Sequence, residues 1–288
     1  MSNVELVKAY TEDLPDLKHL FMPPNLGYVP WERYVRTFTL TKPEIFEDPY
    51  IGLGLKVGDK WVGFLGMVRS FREIQGIETE VNNMSTMTVL PEYRTQSLRL
   101  FRALKTFKTA LFTCLTPSPV TEKVSIKTLG ASVHSDKYQV LSESSQDPST
   151  VTVVSDLDQI QRRIDSQWTG LFDEHSQEAC FFVLVECEQS DCLLLLTERT
   201  LQEDRYLEVL FYSDVDFFST WADKISSKLV SSYDVKGVIL DVADTPNVLL
   251  DPTKQLAMKE PNLVVRFGEG PLSVPFISLY SEITKMGM

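Results

Sequence analysis

One pattern constrains this chain more than any other: three strand-like runs, a helical stretch and a further short strand follow one another in that order twice. In the first copy, Gly52 to Val57 and Trp61 to Ser70 are strand-like, and Gly58-Asp59-Lys60 between them has the composition of a tight hairpin. Ile77 to Leu90 follows as a third strand. From Tyr93 to Leu111 the apolar residues then fall three or four apart, the helical period, before a short strand at Leu111 to Leu115. A helix from Pro119 to Leu129 is expected to stop at Gly130, and Tyr138 to Leu141 to close the copy. In the second copy the strands are Cys180 to Cys187, Asp191 to Thr197 and Tyr206 to Phe211. The helix is Val215 to Ser231 and the last strand Gly237 to Val242. The two copies share an order of elements rather than residues, so the repeat is one of architecture.

Between the copies, Ser142 to Thr152 is small and polar and reads as a linker, with a helix from Ser155, its N-cap, to Gln167. Two domains are expected, 1–144 and 145–288. Ahead of the first copy, Thr11 to Leu20 opens a short helix, Phe21 to Trp31 is a Pro- and aromatic-rich loop, and Trp31 to Leu40 has near-helical spacing. The net charge of -12 comes from 28 basic and 40 acidic residues, and it argues against nucleic acid as a partner. Residues 1–150 carry 17 of each sign, whereas residues 151–288 carry 11 basic and 23 acidic, so the whole excess lies in the second half. Such a division suggests that the halves differ in task.

The four cysteines show no metal spacing and read as buried free thiols. His19, His134 and His175 are dispersed without carboxylates at ligand spacing, so no metal is expected. Apolar runs are strand-sized and the first residues form no leader, so the expectation is a cytoplasmic protein without a membrane partner. Serine-hydrolase elbows, zinc-protease helices and P-loops are missing from the sequence.

The segment carrying most chemistry is Met87 to Leu104, MTVLPEYRTQSLRLFRAL, where a strand runs into a helix N-terminus. Unpaired helical N–H groups and the helix dipole favour an anion there. Arg94, Arg99, Arg102, Lys105 and Lys108 follow with no acidic residue before Glu122. This strand, turn and helix resemble motif A of the GCN5-related N-acetyltransferase superfamily, whose R/Q-x-x-G-x-G/A loop holds the pyrophosphate of acetyl-CoA. Arg94 takes the first position, Ser97 and Arg99 those of the two glycines, so both glycines are replaced by bulkier residues. Leu111 to Gly130 is similar to motif B of the same family, and the resemblance extends over nearly all of residues 1–141.

The resemblance implies an α/β protein of two such domains, each a mixed, mostly antiparallel sheet flanked by helices, the second without a cofactor loop. It implies acyl-CoA, with acetyl-CoA foremost, as co-substrate and a small-molecule amine or amino sugar as acceptor, attacking the thioester directly. Met87, Thr88 and Val89 would pair with pantetheine through backbone, and Arg94, Thr95, Gln96, Ser97, Leu98 and Arg99 would hold the pyrophosphate. On the preceding strand Glu80 is the expected base with Asn83 as its water-positioning partner. Where the family often has an Asn and a Tyr acid, this chain has Ser118 or Pro119 and Ile126, leaving Ser125 or Tyr138 as substitute proton donors. Tyr28 and Trp31 would line the acceptor site. In the second copy the matching junction reads FYSDVDFFST, where Asp214 and Asp216 favour the helix but repel a pyrophosphate. Tandem members of this kind resemble N-myristoyltransferases, mycothiol synthases and Fem-type aminoacyltransferases. The competing reading is a member that has lost catalysis and serves as a binding module; oligomeric state is left open.

Overall fold

Long alternating strands need long partners, and the register of the first half's hairpins decides which side chains share a face. A computed structural model describes residues 3–21, 30–39, 45–107, 110–141, 147–175, 180–188, 190–249, 256–267, 274–279 and 281. The chain divides into two compact units, one of Met1–His134 with Pro261–Met286 and the other of Ser135–Glu260.

The first unit begins with β1 (Glu5–Ala9), α1 (Leu14–Leu17) and α2 (Trp31–Thr39). Next come β2 (Gly52–Val57), β3 (Lys60–Ile74), β4 (Ile77–Val89), α3 (Ser97–Leu104), β5 (Leu111–Cys114) and α4 (Pro119–Val124). Strands β1 to β4 form an antiparallel meander, and β5 joins β4 in parallel. One face of the sheet presents Leu65, Met67 and Met84 to Leu100, Phe101 and Leu104 of α3. Each of these fully buried side chains stabilises the unit by about 1.5–3 kcal/mol. The other face presents Phe64 to Leu17, Leu20, Tyr34 and Phe38 of the α1–α2 segment. Gly66 belongs to that second face because a Cβ there would run into the Phe38 ring.

The second unit takes β6 (Ser132–Leu141), then β7 (Val151–Val154), α5 (Leu157–Arg163), α6 (Thr169–His175), β8 (Phe181–Cys187), β9 (Ser190–Leu201), β10 (Asp204–Tyr212), α7 (Val215–Tyr233) and β11 (Gly237–Asp241). Here too an antiparallel meander, β7 to β10, is followed by a helix and a parallel strand. The repeated order read from the sequence is therefore the order of the fold. Among the described residues no helix is long and apolar enough to cross a membrane.

The domain boundary differs from the single cut expected at 144/145. Strand β6 pairs antiparallel with β11, from Val238↔Leu141 to Asp241↔Tyr138, so it belongs to the second unit. The last strand, β12 (Leu256–Arg266), returns to the first unit and pairs with β5, from Leu263↔Cys114 to Arg266↔Leu111. Each unit thus completes its sheet with a strand from the other half of the sequence. The return falls between Glu260 and Pro261. Proline has no N–H for a ladder, which suits a point where a strand changes partners.

Three local readings also change. Helix α3 ends at Leu104 rather than Leu111, because Thr106 turns back and donates its hydroxyl to Ala103 O at 2.7 Å. Helix α5 is capped by Asp156, which accepts from Gln159 N at 2.8 Å, one residue beyond the expected Ser155. The last two residues of the linker, Val151 and Thr152, begin strand β7. The four cysteines are free and buried, as expected.

Two outcomes follow. Leu263 is fully buried in the β5–α3 core, so Leu263→Ala should cost about 2–5 kcal/mol in urea unfolding. Native protein should leave Ellman's reagent unreacted, with Cys114, Cys180, Cys187 and Cys192 all titrating after guanidinium is added.

Candidate functional site

The site grows from one irregularity in β4. Strand β3 pairs with it continuously except between Leu65 and Gly66, where Leu65 faces Met87 and Gly66 faces Ser85. Thr86 is the extra residue, and its φ of 45° lies in the left-handed region that β-branched residues avoid. The bulge bends β4, and β5 does not follow it. Their parallel pairing consists of Val81↔Leu111, Asn82↔Phe112 and Asn83↔Thr113, and stops there. At that last pair the Asn83 side chain donates Nδ2–H to Thr113 Oγ1 at 3.0 Å, tying the closed end of the gap. Beyond it, Thr86 to Leu90 are half-buried, with β3 on one side and, among the described residues, no strand on the other.

At the open end of the gap the chain enters a 3-10 turn, Pro91–Gln96, and then α3, and neither start has a side-chain cap. Arg94 and Thr95 are exposed there, while Gln96 and Ser97 are half-buried. Leu98 is 39% exposed. Arg99 turns away, donating to Val4 O at 2.8 Å and Gln96 Oε1 at 3.3 Å. The glycine-free loop therefore differs in kind from a phosphate cradle. Its amides are wound into 3-10 hydrogen bonds, and Arg94 is the cation left facing solvent.

The expected base is engaged. Glu80 Oε1 accepts from Arg69 Nη2 at 2.8 Å, Arg69 Nε at 3.1 Å and Asn82 Nδ2 at 3.2 Å. Arg69 is itself 7% exposed and stands between the Phe46 and Tyr50 rings, at 3.9 and 3.8 Å from their centroids. Burial raises the Tyr50 phenol well above its ordinary value. By register, Glu80 faces Phe71 and Asn82 faces Arg69, on the α3 side of the sheet. Asn83 faces Val68 and lies on the opposite side. The structure thus separates Glu80 and Asn83 instead of joining them as base and partner.

Of the proposed proton donors, Ser125 is fully buried in the π turn Ser125–Leu129 after α4, and its Oγ has no partner among the described residues. Ile126, at the family's Tyr position, is 41% exposed. Tyr138 lies on β6 in the second unit, hydrogen-bonded to Glu208 and Arg199. Its pKa is raised, first by burial and then by the Glu208 charge. The same network contains the Arg199–Glu208 pair at 2.6 Å and the buried Lys259–Asp241 pair. Tyr138 is thus part of a charge network within the second unit. Trp31 begins α2 and packs on Phe21, with ring centroids 5.4 Å apart. Tyr28 lies outside the described residues.

The second unit repeats the irregularity and fills it. Strand β10 has a bulge at Leu210, between the pairs Val209↔Leu196 and Phe211↔Leu195, and its parallel pairing with β11 ends at Val209↔Leu240. Just beyond, Tyr212 donates its hydroxyl to Asp244 O at 2.7 Å and stacks on Phe218 at 4.8 Å. Burial pushes that phenol up to about 12. Asp214 caps α7 by accepting from Phe217 N at 2.8 Å, taking an amide that an anion would need.

No family model and no curated protein matches this sequence. Among solved structures, the chain is similar to a GCN5-related N-acetyltransferase from Kribbella flavida, with a TM-score of 0.59, 16% identity, and 91% of this chain and 70% of that one covered. A GCN5-related N-acetyltransferase from Anabaena variabilis aligns with a TM-score of 0.56, 14% identity, and 91% and 72% coverage. The chain has the fold of the GCN5-related N-acetyltransferases. Within that fold, β4 and β5 of the first unit part after Asn83↔Thr113, and β10 and β11 of the second part after Val209↔Leu240.

The close approach at Gly66 supports the bulge. A Cβ there would also meet Ser85 O at 2.8 Å, so Gly66→Ala should destabilise the protein by about 1–3 kcal/mol in thermal unfolding.

Proposed function

We propose that the first unit binds an acyl-CoA along the unpaired side of β4 and passes its acyl group to an amine. The observation that carries this reading is the end of β4–β5 pairing at Asn83 and Thr113, while β4 continues past the Thr86 bulge to Val89. An extended backbone with one free side pairs with any amide-bearing chain laid against it, and pantetheine carries two amides. Met87, Thr88 and Val89 are the residues that would pair with it. Acetyl-CoA is the simplest donor and a small-molecule primary amine the simplest acceptor.

Fit differs along such a ligand. The gap suits the pantetheine arm, whereas the 3-10 turn offers few free amides to the pyrophosphate. Arg94 supplies a charge in their place, and Arg102 and Lys105 lie exposed further along the same segment. Arg99 contributes field rather than contact, since Val4 O and Gln96 hold it.

Attack on the thioester needs the two reactants aligned and a developing oxyanion met by donors. A bulged strand turns a backbone N–H out of its ladder, and Thr86 puts one beside the gap. Glu80 lies six residues before Thr86 on the same strand, but with Oε1 committed to Arg69 and Asn82 it acts through the fold of β4 rather than as a free base.

A second reading is favoured by the same 3-10 turn, by Ile126 and by the occupied Glu80: a unit that retains the fold to bind a partner without catalysis. Calorimetry separates the two. Acetyl-CoA is expected to bind the wild-type protein, and Arg94→Ala to weaken it about tenfold at low salt, the loss of one charge-assisted phosphate contact. Failure of both acetyl-CoA and CoA to bind at millimolar concentration would abandon the transferase reading for the binding module.

A further inference from the structure

The acceptor side of the β4 gap is identified by polar atoms that the fold buries and leaves unsatisfied. Asn83 is 1% exposed, and its Oδ1 has no hydrogen-bond partner among the described residues. A buried amide oxygen left unpaired is costly and rare in folded proteins. Nδ2 of the same amide donates to Thr113 Oγ1 at 3.0 Å, which leaves Oδ1 as the group to be satisfied. On the same face of β3, Ser70 is 5% exposed and its Oγ is likewise unpartnered. Ser70 faces Val81 and Val68 faces Asn83, so the two groups are diagonal neighbours across one pair of strands.

That face is the one covered by the α1–α2 segment. Phe38 of α2 fills the space over Gly66, which pairs with Ser85, and Thr88 Oγ1 donates to Leu20 O at 2.9 Å in the turn after α1. Helix α3, with the cations expected to meet a donor's phosphates, lies on the other face. Donor and acceptor would therefore take separate faces of one sheet, in which β4 and β5 part just beyond Asn83. Asn83 stands at the closed end of that opening, on the acceptor side.

Resting on the transferase reading, we infer that Asn83 Oδ1 receives the acceptor's reacting nitrogen and that the acceptor arrives as a neutral, weakly basic amine. The polar side chains that β3, β4 and β5 place around this point, Ser70, Asn83, Ser85 and Thr113, are all uncharged. The one cation further along the face, Arg72, is bonded to Phe276 O at 3.2 Å and to Pro275 O. With no carboxylate on this face of β3 or β4, a buried ammonium would lose its hydration without compensation. A neutral N–H donor pairs with Oδ1 instead. The nitrogen lone pair then attacks the thioester carbon, the C–N bond forms, the C–S bond breaks with its electron pair on sulfur, and the proton shed by nitrogen ends on the CoA thiol. Asn83 accepts a hydrogen bond and takes no proton.

The test uses the full chain with acetyl-CoA and two probe amines, p-anisidine, neutral at pH 7.5, and n-butylamine, an ammonium. Thiol release is expected to favour p-anisidine. Asn83→Ala should raise the KM for p-anisidine at least tenfold, and by a larger factor than it raises the Kd for acetyl-CoA by calorimetry. A preference for n-butylamine, or an unchanged KM in the variant, overturns the inference and leaves the transferase reading standing. Absence of acetyl-CoA binding instead removes the reading beneath it. Because Asn83 also ties β4 to β5, the wild-type protein provides a second measurement. The Asn83 side-chain amide resonance of ¹⁵N-labelled, CoA-saturated protein should move on adding p-anisidine, and a resonance that stays in place overturns the assignment whatever the turnover.

Discussion

The gap in the first unit exists because β4 obeys two neighbours that disagree. From Gly63↔Val89 to Ile74↔Ile77 it is bound to β3, and that ladder absorbs one extra residue at Thr86. From Val81 to Asn83 it is also bound to β5, which is a short strand ending at Cys114. A bulge increases local twist and bends the bulged strand, so a short parallel partner cannot stay in register past it. The consequence is an unpaired backbone edge in the middle of a sheet. Most proteins cover such an edge; the first unit holds it open between a tied end at Asn83–Thr113 and the uncapped start of α3.

The second unit shows that the bulge alone is not enough to make a site. Strand β10 is bulged at Leu210 and parts from β11 in the same way. There an aromatic side chain occupies the opening, its hydroxyl satisfied by Asp244 O, and a carboxylate caps the helix that follows. Tyr212 and Asp214 are each favourable for stability, and Asp214 takes one of the amides, and adds a negative charge, where an anionic ligand would sit. The first unit has Leu90 and Gln96 at the starts of its 3-10 turn and α3, neither of them a capping side chain. The two junctions also carry opposite charge, Arg94 to Lys105 at one and Asp214 and Asp216 at the other.

Much of this was legible in the residues. Periodicity placed β2, β3, β4, α7 and β11 to within a few positions, and Gly130 does end its helix in the left-handed conformation with φ 73°. What periodicity misses are strands whose pattern is set by pairing rather than burial. Strand β1 has exposed residues at most positions, and β12 contains Pro261 inside its run. The exchange of closing strands was hidden for the same reason, since β6 and β12 are specified by the free edges of β11 and β5, far away in sequence. The site was half legible. Motif A pointed to the strand and helix that border the β4–β5 gap, but a linear string cannot show that Glu80 and Asn83, three residues apart, stand on opposite faces, or that Arg69 claims the carboxylate.

Loss of the glycines also changes what kind of recognition the first unit can offer. A glycine-rich loop holds pyrophosphate with backbone amides at short range, where geometry does the selecting and salt has little effect. Ser97 and Arg99, by contrast, continue a helix: Arg99 braces β1 through Val4 O, and the preceding residues spend their amides on a 3-10 turn. What remains for an anion is the field of exposed side chains such as Arg94, which acts over a Debye length and weakens as salt rises. Selectivity must then come from the part of a ligand that enters the gap, where β4 presents fixed backbone and Asn83 a buried carbonyl. On the proposed reading, discrimination shifts from the phosphate end of the ligand to the reacting end, where the buried side chains around Asn83 on β3, β4 and β5 are uncharged.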